Sequence, residues 1–296
     1  MFHNIAVVFM SIFFESLPFL LLGSIISAII EHFVSDETFE KIIPKNIFLA
    51  SLTGVFMGFF IPACDCAVIP ISKRLIKKGV PINVAISFML SSPIINPVVL
   101  LSTYYAFYRI DRKIFFLRLI FGVVISLIIG IIMGLLFKDK VTKDDNKEEC
   151  SCHHHEAKEK AATHIIKHTA SDLFDVVKYL MIGALIASLC QVLMPKSAIN
   201  LFSNNKILSI IVLMIFAYLI SLCSTSDSFV GKSLLSTFTE SSIVAYLLLG
   251  PMIDIKNTVV LLGNYKTKFV ATLISLIFIV IFVFCVMVVV LWKRNF

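Results

Sequence analysis

PACDCAVIPISKRLIKKG, residues 62–79, ends an apolar run with two cysteines around an aspartate and then turns basic. A lipid-facing helix has no use for Cys64, Asp65 and Cys66. An aspartate at the centre of a membrane helix is unfavourable by roughly 2.5–3.5 kcal/mol on insertion scales, so Asp65 calls for a polar path or a partner. Pro62 and Pro70 bracket the group, and proline removes a backbone donor and disturbs the preceding turn. The stretch is therefore predicted to interrupt a helix near 62–70. Broken backbone at membrane depth survives only against protein or a water-filled cavity. The combination predicts a transport site.

The rest of the chain supplies the membrane. Its 296 residues are 58% hydrophobic with a mean hydropathy of +0.96, too apolar for a soluble fold. A hydrocarbon core of about 30 Å needs about 20 apolar residues per helix. Eight runs approach that length, near 5–30, 47–71, 82–108, 114–137, 172–194, 207–230, 242–264 and 269–292. Alternating ten-residue strands are missing from these runs, which argues against a β-barrel. The predicted class is an all-α polytopic membrane protein of about eight transmembrane helices. The N-terminus lacks a basic start and a small-residue cleavage site, so its first apolar run is expected to remain as a helix. The net charge of +7 sits in short loops beside the spans, where topology explains it without a nucleic-acid partner. Seven cysteines in spans and one polar loop do not form a secreted disulfide framework.

Loop charges orient the chain. Lys73, Arg74, Lys77 and Lys78 follow the second run without an acid, which places that loop, and with it both termini, in the cytoplasm. The first run carries Glu15 and the small residues Gly23, Ser24, Ser27 and Ala28, a face suited to close helix packing. The third run holds SSPIINP, Ser91 to Pro97, whose two prolines around Asn96 predict a second break near 91–97. Arg109, Arg112, Lys113 and Arg118 follow it against Asp111 alone, although eight spans would put that loop outside. Two readings of 82–108 stay open, a broken span and a re-entrant hairpin.

From Lys138 to Lys167 seven lysines meet seven acids around CSCHHH, residues 150–155. Residues 138–170 are read as a solvated cytoplasmic linker between a first transmembrane unit, 1–137, and a second, 171–296. The second unit echoes the first in order. Glu15 and Gly23 match Asp175 and Gly183; Cys64 and Lys73 match Cys223 and Lys232; Pro93 and Asn96 match Pro251 and Asp254. The match predicts two further breaks, near 222–229 and 250–254. Paired interrupted segments in matching halves point to a transporter's binding site.

PACDCAVIP, the basic KRLIKKGVP after it, SSPIINP, LCSTSDSF and GPMIDIKNT together resemble the UPF0718 (YraQ-like) family of predicted permeases, which includes organoarsenical efflux permeases. The resemblance covers both halves. It implies an eight-span or similar polytopic permease of the cytoplasmic membrane that moves a small solute or metalloid, and the repeat places its site between the two units.

The candidate site residues follow from these motifs. Cys64 and Cys66 offer soft ligands for trivalent arsenic, copper(I), zinc or cadmium, with Asp65 between them; buried cysteines also serve simply as small hydrophobes. Cys223, Ser224, Thr225, Ser226, Asp227 and Ser228 form a polar run inside a span, more than helix back-bonding of hydroxyls requires. Asp65 suits a cationic or metalloid solute and Asp227 a proton or sodium ion, both expected to line one aqueous site. Asp254 reads either as a substrate contact or as a partner of Lys256 near a membrane surface. Pro70, Ser92, Pro93, Asn96, Pro97 and Pro251 complete the set by shaping the breaks and satisfying freed carbonyls. Cys150, Cys152, His153, His154 and His155 could hold zinc or another soft metal, or belong to a plain polar linker. No cofactor is otherwise required.

No phosphate-binding loop or HExxH motif occurs, so the chain is read as a transporter and not an enzyme. Two rivals remain: a membrane thiol–disulfide oxidoreductase working through Cys64, Cys66 and Cys223, and a non-catalytic subunit of a permease complex. A second membrane or extracytoplasmic subunit is a possible partner beside the lipid bilayer.

Overall fold

The computed structural model describes residues 2–33, 43–61, 64–137, 141–142, 161–193 and 205–293. These form twelve helices and no strand. The first six are α1 (Phe2–Phe33), α2 (Ile47–Phe60), α3 (Asp65–Lys77), α4 (Ile82–Ile95), α5 (Pro97–Phe107) and α6 (Arg112–Leu136). The others are α7 (Ala161–Leu193), α8 (Lys206–Ile220), α9 (Ser224–Leu234), α10 (Glu240–Met252), α11 (Ile255–Asn264) and α12 (Thr267–Lys293). Each set of six runs from a long helix through four short ones to a long one.

All four predicted interruptions exist among the described residues, and each is narrower than its sequence suggests. The first separates α2 from α3 and leaves Pro70 inside α3, where it cannot donate to the Cys66 carbonyl one turn earlier. The second is Asn96 alone, while Pro93 stays helical in α4. Asn96 ends α4 and starts α5: its side chain accepts from the Val98 N–H at 3.0 Å, and Pro97 fills the first helical position, where an N–H has no partner anyway. The third occupies 221–223, so the polar run from Ser224 onward is helical. Ser221 turns the chain with a left-handed φ of 53°, a conformation that non-glycine residues rarely adopt. The fourth is 253–254, with Pro251 inside α10 and Asp254 capping α11 through the Asn257 N–H.

Among the described residues, six segments are long and apolar enough to cross a membrane: His3–Ile25, Ile82–Phe107, Arg112–Leu136, Val176–Leu193, Glu240–Asn264 and Thr267–Val290. Ile47–Phe60 and Lys206–Ile220 are shorter apolar helices, because the breaks take residues from those two runs. Two segments form the interior: most of 82–107 and of 240–264 is buried, whereas most residues of the other four are exposed or half-buried. Helix α4 packs on α2 and α6, α10 packs on α8 and α12, and the two meet each other. Around them α12 turns Ile279, Val283, Met287 and Val290 outward, one apolar stripe at helical spacing. Such stripes would be untenable in water and are ordinary against lipid tails.

Arg118, grouped by sequence with the loop cations, lies in the second turn of α6 and is fully buried. It leaves Arg109, Arg112 and Lys113 as that loop's basic residues, with Arg112 stacked over the Tyr108 ring at 4.8 Å. The charge conflict at this loop is smaller than the sequence implied.

Candidate functional site

Three of the breaks converge. Helix α3 begins with Cys64 as its capping residue and Asp65 in its first turn, and it packs against α11, whose first turn holds Lys256 and Asn257. Lys256 Nζ lies 3.1 Å from Asp65 Oδ2, and Asn257 Nδ2 donates to the same oxygen at 3.2 Å. Lys256 Nζ is also 3.4 Å from Asp254 Oδ2, without an aligned hydrogen bond at that oxygen. The Lys256 N–H donates to Ser221 Oγ at 3.3 Å, which ties in the left-handed turn before α9. The three charged groups are 4% exposed or less. Asp254 and Lys256 do pair, within the protein interior.

An ion pair taken out of water is tolerated only when its remaining lone pairs and protons find partners. Here one ammonium serves two carboxylates, and both stand at helix N-termini, where unpaired N–H groups favour negative charge. Close packing holds the arrangement. A Cβ on Gly183 of α7 would stand 2.8 Å from the Lys256 carbonyl oxygen and 3.0 Å from its Cα, so only glycine lets α7 lie this near α11.

A cavity opens beside the ion pair. Cys64, Asp65, Cys66, Cys223, Lys256 and Glu15 line it, with Ser16 and Ser221 hydroxyls and the apolar Ile12 and Phe19. Three carboxylates, counting Asp254 behind Lys256, face one ammonium, so the site has an excess of negative charge. Ligand atoms of Cys64, Asp65 and Cys66 all lie within 4.8 Å of one another, a spacing that small rotations would close around a soft ion. Cys64 is half-buried and Cys66 buried, its thiol 3.7 Å from Ser16 Oγ. All three cavity thiols are free.

The polar start of α9 divides its residues between two places. Cys223 faces the cavity, whereas Ser224, Asp227 and Ser228 are buried on another side, around Arg118. Tyr246 of α10 donates to Asp227 Oδ1 at 2.9 Å. Arg118 donates to Thr103 Oγ1 at 2.7 Å and Ser228 Oγ at 2.9 Å, and approaches the Ser224 carbonyl at 3.5 Å. Asp227 is absent from the cavity lining, so the two acids expected in one site occupy separate surroundings.

The other candidates take supporting positions. Ser92 Oγ donates to the Ile61 carbonyl at 3.4 Å, fastening α4 to the end of α2. Pro70, Pro93 and Pro251 are buried within helices, Asn96 and Pro97 form the α4–α5 junction, and Ser226 is half-buried. Pro62, Cys150, Cys152 and His153 to His155 lie outside the described residues. Sequence reasoning did not place Lys256, Asn257, Glu15, Ser16, Ser221, Arg118 or Tyr246 in a site. The available signals were a lysine and an arginine inside apolar segments, which are costly at membrane depth without a partner.

Comparison with known proteins agrees with this architecture. Residues 1–290 match the profile of a family, ArsP_1, described as "Predicted permease". A Streptococcus mutans protein named "Putative two-component membrane permease complex subunit" is 36% identical over 285 residues, covering 95% of this chain and 93% of the relative. The Bacillus subtilis "UPF0718 protein YcgR" is 41% identical over 275 residues, covering 93% of each. No solved structure matches.

Proposed function

This chain belongs to the ArsP_1 family of predicted permeases, a multi-pass membrane protein, and we propose that it is a secondary transporter that exports a small thiophilic solute, a metalloid or soft metal species, across the plasma membrane. The observation that carries the reading is the Asp65–Lys256 pair buried beside a thiol-lined cavity where three helix breaks meet. A purely structural helix bundle has no need to bury these charges or to leave carbonyls freed by the breaks.

The roles follow from chemistry. Cys64 and Cys66 bind the soft centre of the solute, and Asp65 and Glu15 supply the negative field that draws a cationic species in. Lys256 holds Asp65 while the site is empty; an arriving cation takes its place, and the ammonium turns to Asp254. The neutralising charge is thus exchanged rather than lost, which lowers the cost of entry and exit. Proposed duplication of the two six-helix sets puts Cys64 and Cys223 at matching helix starts and Asn96 and Asp254 at matching caps.

By analogy with the name of the streptococcal relative, we further propose that a second membrane subunit completes the transporter. A metal and metalloid sensitivity panel comparing a deletion strain with strains complemented by wild type, Asp65→Asn and Cys64→Ser/Cys66→Ser tests the reading. Resistance restored by wild type and not by either variant, at equal membrane abundance, is the expected result. Equal protection by all three would remove the cavity from transport. A reversible disulfide among Cys64, Cys66 and Cys223 that tracks activity would favour thiol–disulfide exchange instead.

A further inference from the structure

The centre around Arg118 and Asp227 takes no part in the solute cavity. We propose that it is a proton-binding site, with Asp227 as the group that takes the proton and Arg118 as its resident counter-charge, and that it couples proton binding to the contact between the two halves of the permease. The inference rests on the permease reading above.

Two opposite charges are buried here together without touching. Arg118 is fully buried, and its Nε has no partner among the described residues. Asp227 is 2% exposed, accepts from Tyr246 at Oδ1, and has no partner at Oδ2 among the described residues. No ion pair joins them, although Arg118 is the cation whose field reaches the carboxylate. Around Asp227, α10 contributes Tyr246 and Gly250, whose missing side chain leaves room for Oδ2. Helix α6 contributes Arg118, and α5 presents the hydroxyls of Ser102 and Thr103 toward α9 while Tyr104 and Tyr105 lie outside. Lys232 lies in the last turn of α9. Asp65 and Asp254 are the other acids whose charge reaches Asp227.

An ionised carboxylate with one bare oxygen in a dry interior is strongly disfavoured. Two changes relieve it. A proton from water adds to Oδ2 and removes the charge, or the guanidinium swings until Nε meets Oδ2. The second change requires Arg118 to release Thr103 and Ser228, the pair that hydrogen-bonds α5 to α9 at 3.0 Å. Proton occupancy therefore decides whether residues of the first half stay latched to the second, a two-state element of the kind ligands bias. A metal cation suits this site poorly. The guanidinium repels it, and among the described residues only the Tyr246 hydroxyl meets the carboxylate as an oxygen ligand, too few for a hard ion.

The test is pH-difference infrared spectroscopy on the full chain in lipid nanodiscs. A protonated-carboxyl band is expected that follows pH in wild type and is missing in Asp227→Asn. In Arg118→Gln, which removes the counter-charge, and in Tyr246→Phe, which removes a hydrogen bond to the carboxylate, its midpoint is expected to move by about one pH unit or more, and Arg118→Lys is expected to restore most of the wild-type response. An unchanged band in Asp227→Asn, wild-type titration in both Arg118→Gln and Tyr246→Phe, or displacement of the band by sodium at fixed pH would overturn the proposal. Should Asp227→Asn fail to fold, the other two variants decide. A protein with the Asp227 band but without solute export would retract the permease reading and leave the proton site standing.

Discussion

Lys256 of α11 reaches Asp65 of α3 at 3.1 Å, so a cation from the second half of the chain neutralises an acid from the first in the buried interior. Removing one member of a buried pair strands the other. Lys256→Met is expected to lower stability by about 3–5 kcal/mol, the usual consequence of an uncompensated buried charge. Adding Asp65→Asn to that variant is expected to recover part of the loss, since one stranded carboxylate is then gone. Thermal unfolding in detergent, compared across wild type, Lys256→Met, Asp65→Asn and the double variant, reads both effects; strictly additive losses would show that the pair is not coupled.

Gly183 tests the packing that positions Lys256. An added methyl would collide with the Lys256 backbone and not with a flexible side-chain end, so α7 and α11 must separate. Gly183→Ala is expected to reduce export several-fold at normal membrane abundance, and Gly183→Leu to abolish it. Wild-type export by Gly183→Leu would mean that the α7–α11 approach is irrelevant to the site.

Thiol chemistry distinguishes the cavity cysteines. Cys64 is half-buried and Cys66 lies beneath it against Ser16, so a small maleimide is expected to label Cys64 well before Cys66 in membrane vesicles. Preincubation with cadmium or trivalent arsenic is expected to protect Cys64. Peptide mass spectrometry gives the order and the protection, and labelling of Cys66 first would contradict the geometry.

The α4–α5 junction depends on one cap. Asn96→Ala removes the acceptor of the Val98 N–H and is expected to cost about 1 kcal/mol, whereas Asn96→Asp, the residue type that caps α11, is expected to keep the cap. Unfolding midpoints of the two variants provide the comparison.

The polar linker answers to a topology experiment. A reporter fused after Lys147 is expected to give a cytoplasmic signal, following the basic loop at 73–78. Replacing Cys150, Cys152 and His153 to His155 by serine and alanine is expected to abolish metal binding by the linker peptide and to leave export partly intact. Complete loss of export at normal abundance would make the linker part of the mechanism.

The sequence by itself determined the membrane class, the approximate positions of all four breaks and the residues most out of place in lipid. Composition, proline and charge act locally, and a buried aspartate is conspicuous wherever it sits. Local signals also located Asp65 and Cys64, because no helix packing elsewhere could make that motif ordinary. They did not locate its partners. Lys256 looked like the neighbour of Asp254, and Arg118 like a loop cation, because pairing between residues far apart in the sequence depends on which helices touch. Asp65 and Asp227 looked like neighbours in one aqueous site for the same reason. Which way each first turn faces, toward the thiol cavity or toward Arg118, is set by the rotation of α3 and α9 against α11 and α6, and that rotation is fixed only when the close contacts of the assembled bundle are made.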